Sequence, residues 1–180
     1  MRVAFVSDIH GNLPAWKAVR SDILAQDIDR IICLGDVVGY GPSPAEVLTD
    51  VYGCVHHFVL GNHDAVVAGV YEPKGFNENA LELIELSQKK LGEEAVDFFG
   101  KVPLTLRNST FACFHGHPAA PGKFAYVFDE KDARLAWQKT EHRLMFVGHT
   151  HRPALHQLAE DDQYTRGVPQ NEPVALDKNA

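Results

Sequence analysis

The chain has 180 residues, of which 45% are hydrophobic and 23% are charged, and its formal net charge is −7. This composition is typical of one globular domain, and the chain is long enough to bury a sizeable core. The acidic balance argues against a polybasic surface for nucleic acid or membrane. It does not exclude anionic substrates, because a bound metal ion can dominate the local charge of a site.

The sequence also predicts a cytoplasmic protein that does not contact a membrane. No apolar stretch reaches the ~18 residues that span a bilayer, and the N-terminus enters a strand pattern without the layout of a signal peptide. Cys33, Cys54 and Cys113 are odd in number, lie beside apolar residues and contain no C-x-x-C pair. We interpret them as buried free thiols of a reducing compartment.

Apolar runs alternate with helical spacings along residues 1–158. Strands are predicted, in chain order, at residues 2–6, 30–34, 55–60, 104–107, 110–114, 143–147 and 154–158. Helices are predicted at residues 13–23, 45–52 and 131–140, and over most of 65–101. We expect residues 1–158 to form one domain and the polar residues 159–180 to form a poorly ordered tail.

Five of the predicted strands are followed by side chains that commonly bind metal ions. Ligands of parallel sheets bind beyond the carboxyl ends of the strands, so we expect these side chains to share one site. Asp8 and His10 would both face it, because residues two apart in an extended segment point the same way. The same spacing recurs in His115-Gly116-His117 and His149-Thr150-His151. The predicted metal ligands are Asp8, His10, Asp36, Asn62, His115, His149 and His151.

Seven nitrogen and oxygen donors exceed the four ligands of a tetrahedral zinc site, and they suit two ions that share a carboxylate. Asp36 is the predicted bridge. The donor set suits manganese, iron or zinc better than calcium or copper. Two such ions would turn a bridging water into hydroxide near neutral pH and neutralise phosphoryl oxygens during in-line attack. His63 would protonate the leaving group, with Asp64 or Asp36 orienting its ring.

Each of these residues, taken alone, also has a purely structural interpretation. Asp8 would be a helix cap beside a surface His10, Asn62 a turn residue, and His63 the donor of a structural hydrogen bond. His56 and His57 lie inside a strand pattern, which favours a structural role for both. Only the occurrence of all five groups at strand ends favours a common site.

The motifs together closely resemble those of the calcineurin-like metallophosphoesterase superfamily, in the same order over residues 1–152. They are Asp8-Ile9-His10, Gly35-Asp36-Val37-Val38-Gly39, Gly61-Asn62-His63-Asp64, His115-Gly116-His117 and Gly148-His149-Thr150-His151. The resemblance implies an α/β (α+β) fold, a four-layer αββα sandwich of two mixed β-sheets flanked by helices. It implies that Asp8, His10 and His151 hold one metal, that Asn62, His115 and His149 hold the other, and that Asp36 bridges them. His63 matches the family's acid or transition-state histidine, and His117 would support the ligands or face the substrate.

Two departures from the family pattern bear on the expected function. The protein phosphatases and symmetrical dinucleoside tetraphosphatases of the superfamily carry GDxxDRG, whereas here Gly39-Tyr40-Gly41 follows Asp36. The chain is more similar to small bacterial and archaeal phosphodiesterase-type members with a GDVVGYGP stretch. Their Asn-Pro-Gly-Ser turn after GHTH has no counterpart in residues 159–180, which puts the C-terminal strands in question. An unpaired sheet edge would then be exposed or covered by a partner, which leaves a homo-oligomer open.

We therefore expect a dinuclear metal-dependent phosphoesterase that hydrolyses phosphodiesters or phosphomonoesters of small molecules or nucleotides. Manganese is the expected ion, with iron, zinc, nickel and cobalt as alternatives. The different-class alternative is a non-catalytic metal-binding or scaffold protein on the same fold, and a nuclease ranks lower because no basic patch is present. Substrate specificity is assigned to the loops at 40–44, 65–79 and 117–127. The candidate substrate contacts are Asn12, Tyr40, His117 and Arg152.

Overall fold

Three β-sheets flanked by helices make up the structure, a computed structural model that describes residues 1–168. The strands are β1 (Val3–Val6), β2 (Arg30–Cys33), β3 (His57–Phe58), β4 (Thr105–Arg107), β5 (Phe111–Phe114), β6 (Leu144–Val147), β7 (Leu155–Leu158) and β8 (Tyr164–Gly167). The helices are α1 (Leu13–Leu24), α2 (Pro44–Tyr52), α3 (Asn62–Val67), α4 (Glu78–Lys90), α5 (Glu93–Phe99) and α6 (Glu130–Gln138). A short 3₁₀ helix at Pro121–Lys123 lies before α6.

The first sheet has the order β1-β2-β3 and is parallel throughout, so it is not one of the two mixed sheets that the resemblance implied. Its strands carry Val, Ile, Phe and Cys on both faces, which is the pattern of a parallel sheet covered on both sides. β3 is shorter than the predicted strand at 55–60. The chain on either side of β3 still pairs with β2, because the His56 amide donates to Ile31 O and the Val59 amide donates to Cys33 O.

The second sheet has the order β4-β5-β6 and is mixed, as predicted. β4 and β5 form the expected antiparallel hairpin. Asn108 closes its turn by accepting the amides of Thr110 and Phe111, at 2.7 and 2.9 Å from its Oδ1. β5 and β6 are parallel. The carboxyl ends of β5 and β6 therefore meet at one edge of the second sheet, as those of β1 and β2 do in the first.

An antiparallel hairpin of β7 and β8 forms the third sheet and corrects the predicted domain boundary at 158. β8 begins at Tyr164, inside the predicted tail, and its register pairs Leu158 with Tyr164. The Arg134 guanidinium of α6 binds the Asp162 carboxylate in the connecting turn, which ties the hairpin to that helix. The rest of the predicted tail, residues 169–180, lies outside the described residues.

Two apolar layers hold the two larger sheets and the helices together. One layer lies between the sheets and contains Ile32, Leu34, Val59, Phe111 and Cys113. Phe5 of β1 and Phe146 of β6 stack within it, with ring centres 3.7 Å apart. The other layer packs the first sheet against the helices and contains Trp16, Cys33, Val47 and Phe99. This arrangement places the ends of β1, β2, β5 and β6 next to one another.

The predicted helical region 65–101 is divided into three helices. α3 begins at Asn62, so the residues expected at a strand end form the first turn of a helix. A non-helical loop at 68–77 separates α3 from α4, and Gly92 separates α4 from α5. The acidic and basic residues of α4 are exposed, which confirms the predicted solvated face. Within residues 1–168 no helix has the length and apolarity to cross a bilayer.

The cysteines of the described residues are all free, as predicted. Cys33 and Cys113 are fully buried, whereas Cys54 is only half-buried. Cys54 follows α2, and its Sγ donates to the Asp50 carbonyl of that helix at 3.2 Å. Within residues 1–168, none of the three belongs to a group of side chains that could hold a metal ion.

Candidate metal centre

The side chains of the seven predicted ligands come together where the two larger sheets meet. Their donor atoms form two clusters in which all atoms lie within 4.8 Å of one another. The clusters are Asp8–His10–His151 and Asp36–His115–His149. The seventh predicted ligand, Asn62, joins the second cluster, with its Oδ1 2.9 Å from His115 Nε2. The donor atoms of His10, Asp36 and His63 form a third cluster, in which all atoms also lie within 4.8 Å of one another.

Asp36 occupies the position between the two clusters. Its Oδ1 accepts the backbone amide of His63 at 2.9 Å. Its Oδ2 is buried and has no hydrogen-bond partner among residues 1–168, yet it lies 3.2 Å from His115 Nε2 and 3.6 Å from His10 Nε2. A carboxylate oxygen that is buried without a donor costs several kcal/mol in the absence of a cation. Asp36 therefore fits a carboxylate that two metal ions share.

The pKa values of the centre reflect its close packing of acids and imidazoles. Burial would raise the pKa of Asp36, but His115, His10 and His63 hold that pKa well below its usual range. Burial likewise lowers the pKa of His115, and the Asp36 carboxylate overcomes this and raises that pKa to about 9. Burial lowers the pKa of His149 to about 4. A cation bound at this position would compete with the proton that these shifts favour on His115.

The imidazole rings are oriented by backbone carbonyls, so that one nitrogen of each faces the centre. His10 Nδ1 lies 3.1 Å from Val38 O, and His115 Nδ1 lies 2.8 Å from Leu34 O. A carbonyl can only accept, so each Nδ1 carries a hydrogen and each Nε2 is the nitrogen that would bind a metal once it is deprotonated. His10 Nε2 and His151 Nε2 are 3.0 Å apart. Two nitrogen lone pairs at this separation suit two ligands of one ion.

The loop before α6 orients His149 in a different way. The His149 ring makes a hydrogen bond to the backbone of Phe124. Tyr126 stacks on the same ring, with centroids 4.1 Å apart and an interplanar angle of 5°. Phe124 itself has a left-handed backbone, with φ of 49°, which is unusual for a bulky residue. His149 is therefore held by the segment that also lines the neighbouring cleft.

Most of the predicted ligands have a strained backbone, which corrects the reason given for their convergence. Left-handed φ angles occur at Asp8 (56°), His10 (50°), Asp36 (54°), His149 (69°) and His151 (52°). Asp8 and His10 are therefore not alternating residues of an extended segment, although both reach the centre. Their amides donate to the segment that follows β2, to Gly35 O at 3.0 Å and to Asp36 O at 2.9 Å. Strain of this kind persists only where the surrounding structure holds it, and it is common at functional sites.

Glycines permit the close approach of the surrounding backbone. A Cβ atom on Gly61 would collide with the Asp36 carboxylate and backbone nitrogen. A Cβ atom on Gly39 would lie 2.7 Å from both His10 Nδ1 and His63 Nδ1, and its φ of +136° disfavours side chains as well. Gly39 and Gly61 are thus required by contacts inside the centre.

His63 lies against the centre, but not in the hydrogen-bonded arrangement that the sequence predicted. Its Nδ1 is buried and has no partner among residues 1–168, and the ring packs against His10 and Tyr40 with centroids 4.7 Å away in each case. Asp64 does not orient this ring, because its carboxylate accepts the Val37 and Val38 amides. Burial lowers the pKa of His63 to about 4, against the opposing effect of Asp36.

Two of the candidate substrate contacts lie away from the cleft. Both ring nitrogens of His117 have partners outside the centre: Nε2 is 3.0 Å from Asp132 O of α6, and Nδ1 accepts the Ala119 amide at 3.0 Å. It therefore points away from His115, because its strand end is not extended in the way the prediction assumed. Asn12 is exposed and accepts the Ala15 amide as the N-cap of α1. Neither residue lines the cleft.

A cleft of about 440 Å³ opens directly beside the centre. Asp36, Asn62, His63, His149 and His151 line it on the side of the centre, and the candidate substrate contacts Tyr40 and Arg152 line it as well. The sequence assigned specificity to loops 65–79 and 117–127, but it did not single out the residues that form the walls. These wall residues are Tyr71, Lys74, Phe76, Lys123, Phe124, Tyr126 and Phe128. A second groove, of about 630 Å³ and lined by residues of α1 and α2, contains no predicted ligand.

Two curated relatives match large parts of the chain. An uncharacterized protein from Methanocaldococcus jannaschii is 34% identical over 156 residues, which are 84% of this chain and 63% of that protein. The symmetrical bis(5'-nucleosyl)-tetraphosphatase of Erwinia tasmaniensis is 30% identical over 108 residues, which are 58% of this chain and 39% of that enzyme. The chain thus spans less than two thirds of the length of either relative.

Solved structures of two further proteins share the fold. A metallophosphoesterase from Sphaerobacter thermophilus superposes with a TM-score of 0.75 at 34% identity, covering 87% of this chain and 63% of that one. A hypothetical protein from Pyrococcus horikoshii superposes with a TM-score of 0.73 at 16% identity, covering 98% and 89%. The family profile described as calcineurin-like phosphoesterase superfamily domain matches residues 1–168. The chain belongs to the calcineurin-like phosphoesterase superfamily.

Proposed function

We propose that this chain is a phosphoesterase that uses two divalent metal ions to hydrolyse small phosphate esters, including those of nucleotides. The observation that carries the proposal is the buried Oδ2 of Asp36, which lies without a donor between two clusters of metal-binding side chains. Asp8, His10 and His151 would hold one ion, Asn62, His115 and His149 would hold the other, and Asp36 would contact both. Manganese is the proposed ion, and iron, zinc, nickel and cobalt suit the same donors.

Two divalent ions bound at these residues would supply Lewis acidity, which lowers the pKa of water and neutralises phosphoryl oxygens. The chain's own residues would provide the remaining parts of the site. The prearranged ligands, of which His10, Asp36, Asn62 and His115 are buried, would fix where the phosphoryl group binds. His63 lines the cleft on the side of the centre and would give a proton to the leaving oxygen. The negative charge of a bound ester would raise the pKa of this imidazole and so favour its acid form.

Nucleotide esters are included in the proposed substrates because of the relatives. Several of the curated relatives are symmetrical bis(5'-nucleosyl)-tetraphosphatases. The GDxxDRG motif of that group is incomplete here, because Gly39-Tyr40-Gly41 stands where Asp-Arg-Gly would be expected. We therefore propose the broader class of small phosphodiesters and phosphomonoesters.

Asp36→Asn tests the proposal. Manganese-loaded wild type is expected to bind two ions and to hydrolyse bis-p-nitrophenyl phosphate or p-nitrophenyl phosphate. The variant should lose about a thousandfold in kcat/KM, because an amide cannot bridge two cations as a carboxylate does. Elemental analysis of the same samples should show fewer than two ions. Asp97→Asn, which changes an exposed carboxylate of α5, is the matched control.

Two results would contradict the proposal. Full activity of Asp36→Asn would remove Asp36 from the mechanism. Wild-type protein that binds no metal and hydrolyses neither ester would instead support the non-catalytic alternative.

A further inference from the structure

The ring of His63 lies at the metal centre without the hydrogen bond that orients the neighbouring imidazoles. Nδ1 of His10 and Nδ1 of His115 each lie beside a backbone carbonyl. The buried Nδ1 of His63 has no hydrogen-bond partner among residues 1–168. This nitrogen lies against Gly39, where a Cβ atom would be only 2.7 Å away. Nε2 is therefore the ring nitrogen that can meet a substrate, and packing must determine where it points.

Aromatic rings surround the imidazole of His63 in place of hydrogen-bond partners. The Tyr40 ring lies 4.7 Å from it at an interplanar angle of 62°, and the Phe76 ring lies 5.0 Å from it at 60°. The His10 ring completes the set at 4.7 Å and 73°. Tilted and edge-to-face pairs at these distances are favourable, so each restricts the rotation of the imidazole. His10 is a predicted metal ligand, whereas Tyr40 and Phe76 are not.

Tyr40 and Phe76 belong to two loops that are both anchored to α4. Tyr40 follows Gly39, whose carbonyl accepts a buried hydroxyl of α4 at 3.1 Å. Phe76 precedes Asn77, the side chain of which caps α4 by accepting a backbone amide of that helix at 2.8 Å. Both rings line the cleft, and Tyr40 is 43% exposed. The two rings thus form part of the cleft wall beside His63.

We propose that Tyr40 and Phe76 are positioning residues that hold the His63 ring in the orientation from which Nε2 protonates the leaving oxygen. This inference rests on the proposed function, in which His63 is the acid. Water supplies the new oxygen on phosphorus, the bond to the leaving oxygen breaks with its electron pair on that oxygen, and the proton from His63 neutralises it. A ring that rotates freely spends less time in position for this transfer, so the loss of both contacts slows it.

The proton from His63 matters more when the leaving oxygen is more basic. p-Nitrophenolate is a stable anion that can depart without a proton, whereas phenolate is a stronger base that benefits from one. Loss of the ring orientation should therefore slow the hydrolysis of phenyl esters more than that of p-nitrophenyl esters. General damage to the fold, or loss of metal, would instead slow both by the same factor.

The experiment measures kcat and KM for p-nitrophenyl phosphate and phenyl phosphate with manganese-loaded protein. If the wild type prefers diesters, bis-p-nitrophenyl phosphate and diphenyl phosphate replace them. Tyr40→Leu/Phe76→Leu should lower kcat about tenfold or more for the phenyl ester and less than about threefold for the p-nitrophenyl ester, because two ring contacts are lost. KM should change less than about twofold for both esters. Tyr40→Phe, which keeps the ring, should restore most of the kcat that Tyr40→Leu loses.

Two controls connect the expected effect to His63. In a His63→Ala background, the double substitution should leave the ratio of the two kcat values unchanged, because no imidazole remains to be oriented. Tyr52→Leu removes an exposed ring of α2 that does not line the cleft, and it should match wild type on both esters.

Equal losses of kcat on the two esters, or no loss on either, would overturn the inference. A rise in KM with kcat unchanged would also overturn it, because the rings would then be substrate contacts. If wild-type protein hydrolyses no ester, the proposed function fails separately, and NMR relaxation of carbon-13-labelled His63 in zinc-loaded protein decides the orienting role. A ring order parameter lower by about 0.2 or more in Tyr40→Leu/Phe76→Leu supports that role, and an equal order parameter overturns it.

Discussion

Tyr126 is the residue whose contact with the metal centre is easiest to test separately. Its ring lies parallel to that of His149 at 4.1 Å, while the loop backbone at Phe124 bonds the same imidazole. We expect Tyr126→Leu to weaken the binding of the second metal ion about tenfold, because His149 would lose the stacking that limits its rotation. Calorimetric titration of manganese into metal-free protein measures the two affinities without relying on turnover.

Two further variants distinguish an effect of the Tyr126 ring on the position of His149 from a general loss of protein stability. Tyr126→Phe keeps the ring and should restore metal affinity to within about twofold of wild type, because the stacking does not need the hydroxyl. Tyr52→Leu removes an exposed tyrosine that contacts Phe98 far from the ligands, and should leave metal binding unchanged. Equal metal affinities in wild type and Tyr126→Leu would show that the stacking has no positioning role.

The identities of the predicted ligands follow from the sequence, but their geometry does not. Asp, Asn and His after apolar runs were sufficient to name the seven side chains that converge. The left-handed backbone of Asp8 and His10 could not be inferred, because it depends on amides that donate to Gly35 and Asp36, about 27 residues away in the chain. The divergence of His115 and His117 has a similar origin, since His117 is drawn to Asp132 of α6.

α4 is the element that fixes the loop after Asp36. The hydroxyl of Ser87, which is buried, lies 3.1 Å from Gly39 O and 2.9 Å from Leu83 O, and Lys90 Nζ donates to Pro42 O at 2.7 Å. We expect Ser87→Ala to reduce the free energy of unfolding by about 1 kcal/mol, because Gly39 O would remain buried without its donor. Urea denaturation monitored by circular dichroism measures this change.

Glu85→Ala on the exposed face of the same helix is the control for Ser87→Ala and should change the free energy of unfolding by less than about 0.5 kcal/mol. If both variants unfold at the same urea concentration, the contact between α4 and the Asp36 loop contributes nothing. A larger loss of unfolding free energy in Ser87→Ala than in Glu85→Ala would show that α4, which carries no predicted ligand, helps to hold the loop after Asp36.

Strongly apolar strands were the elements that the sequence predicted best, since β1, β2, β5 and β6 lie within about one residue of their predicted bounds. The start of α3 at Asn62 was not predicted, because a helix of six residues has too few positions to show a period. β8 was missed for another reason. Tyr164–Gly167 is half-polar and becomes a strand by pairing with β7, which no local pattern indicates.

At the scale of the whole molecule, each of the two apolar layers contains one buried cysteine, so thiol reactivity can show when each layer opens. Cys33 belongs to the layer between the first sheet and the helices, and Cys113 to the layer between the two sheets. Burial raises the pKa of Cys113 to about 12 and raises that of Cys33 further. Because the thiolate is the reactive form, both should be protected at pH 8 for as long as the layers stay closed.

We therefore expect one thiol to react with DTNB in the native protein and three to react in denaturant. The fast thiol is Cys54, which is half-buried, and a Cys54→Ser variant should lack the fast phase. Cys33 and Cys113 should react at least about a hundredfold more slowly, because they require global unfolding. Both should become reactive at the same urea concentration if the two layers form one cooperative unit. Earlier exposure of Cys113, identified by mass spectrometry of labelled peptides, would show instead that the sheets separate while the helices remain packed.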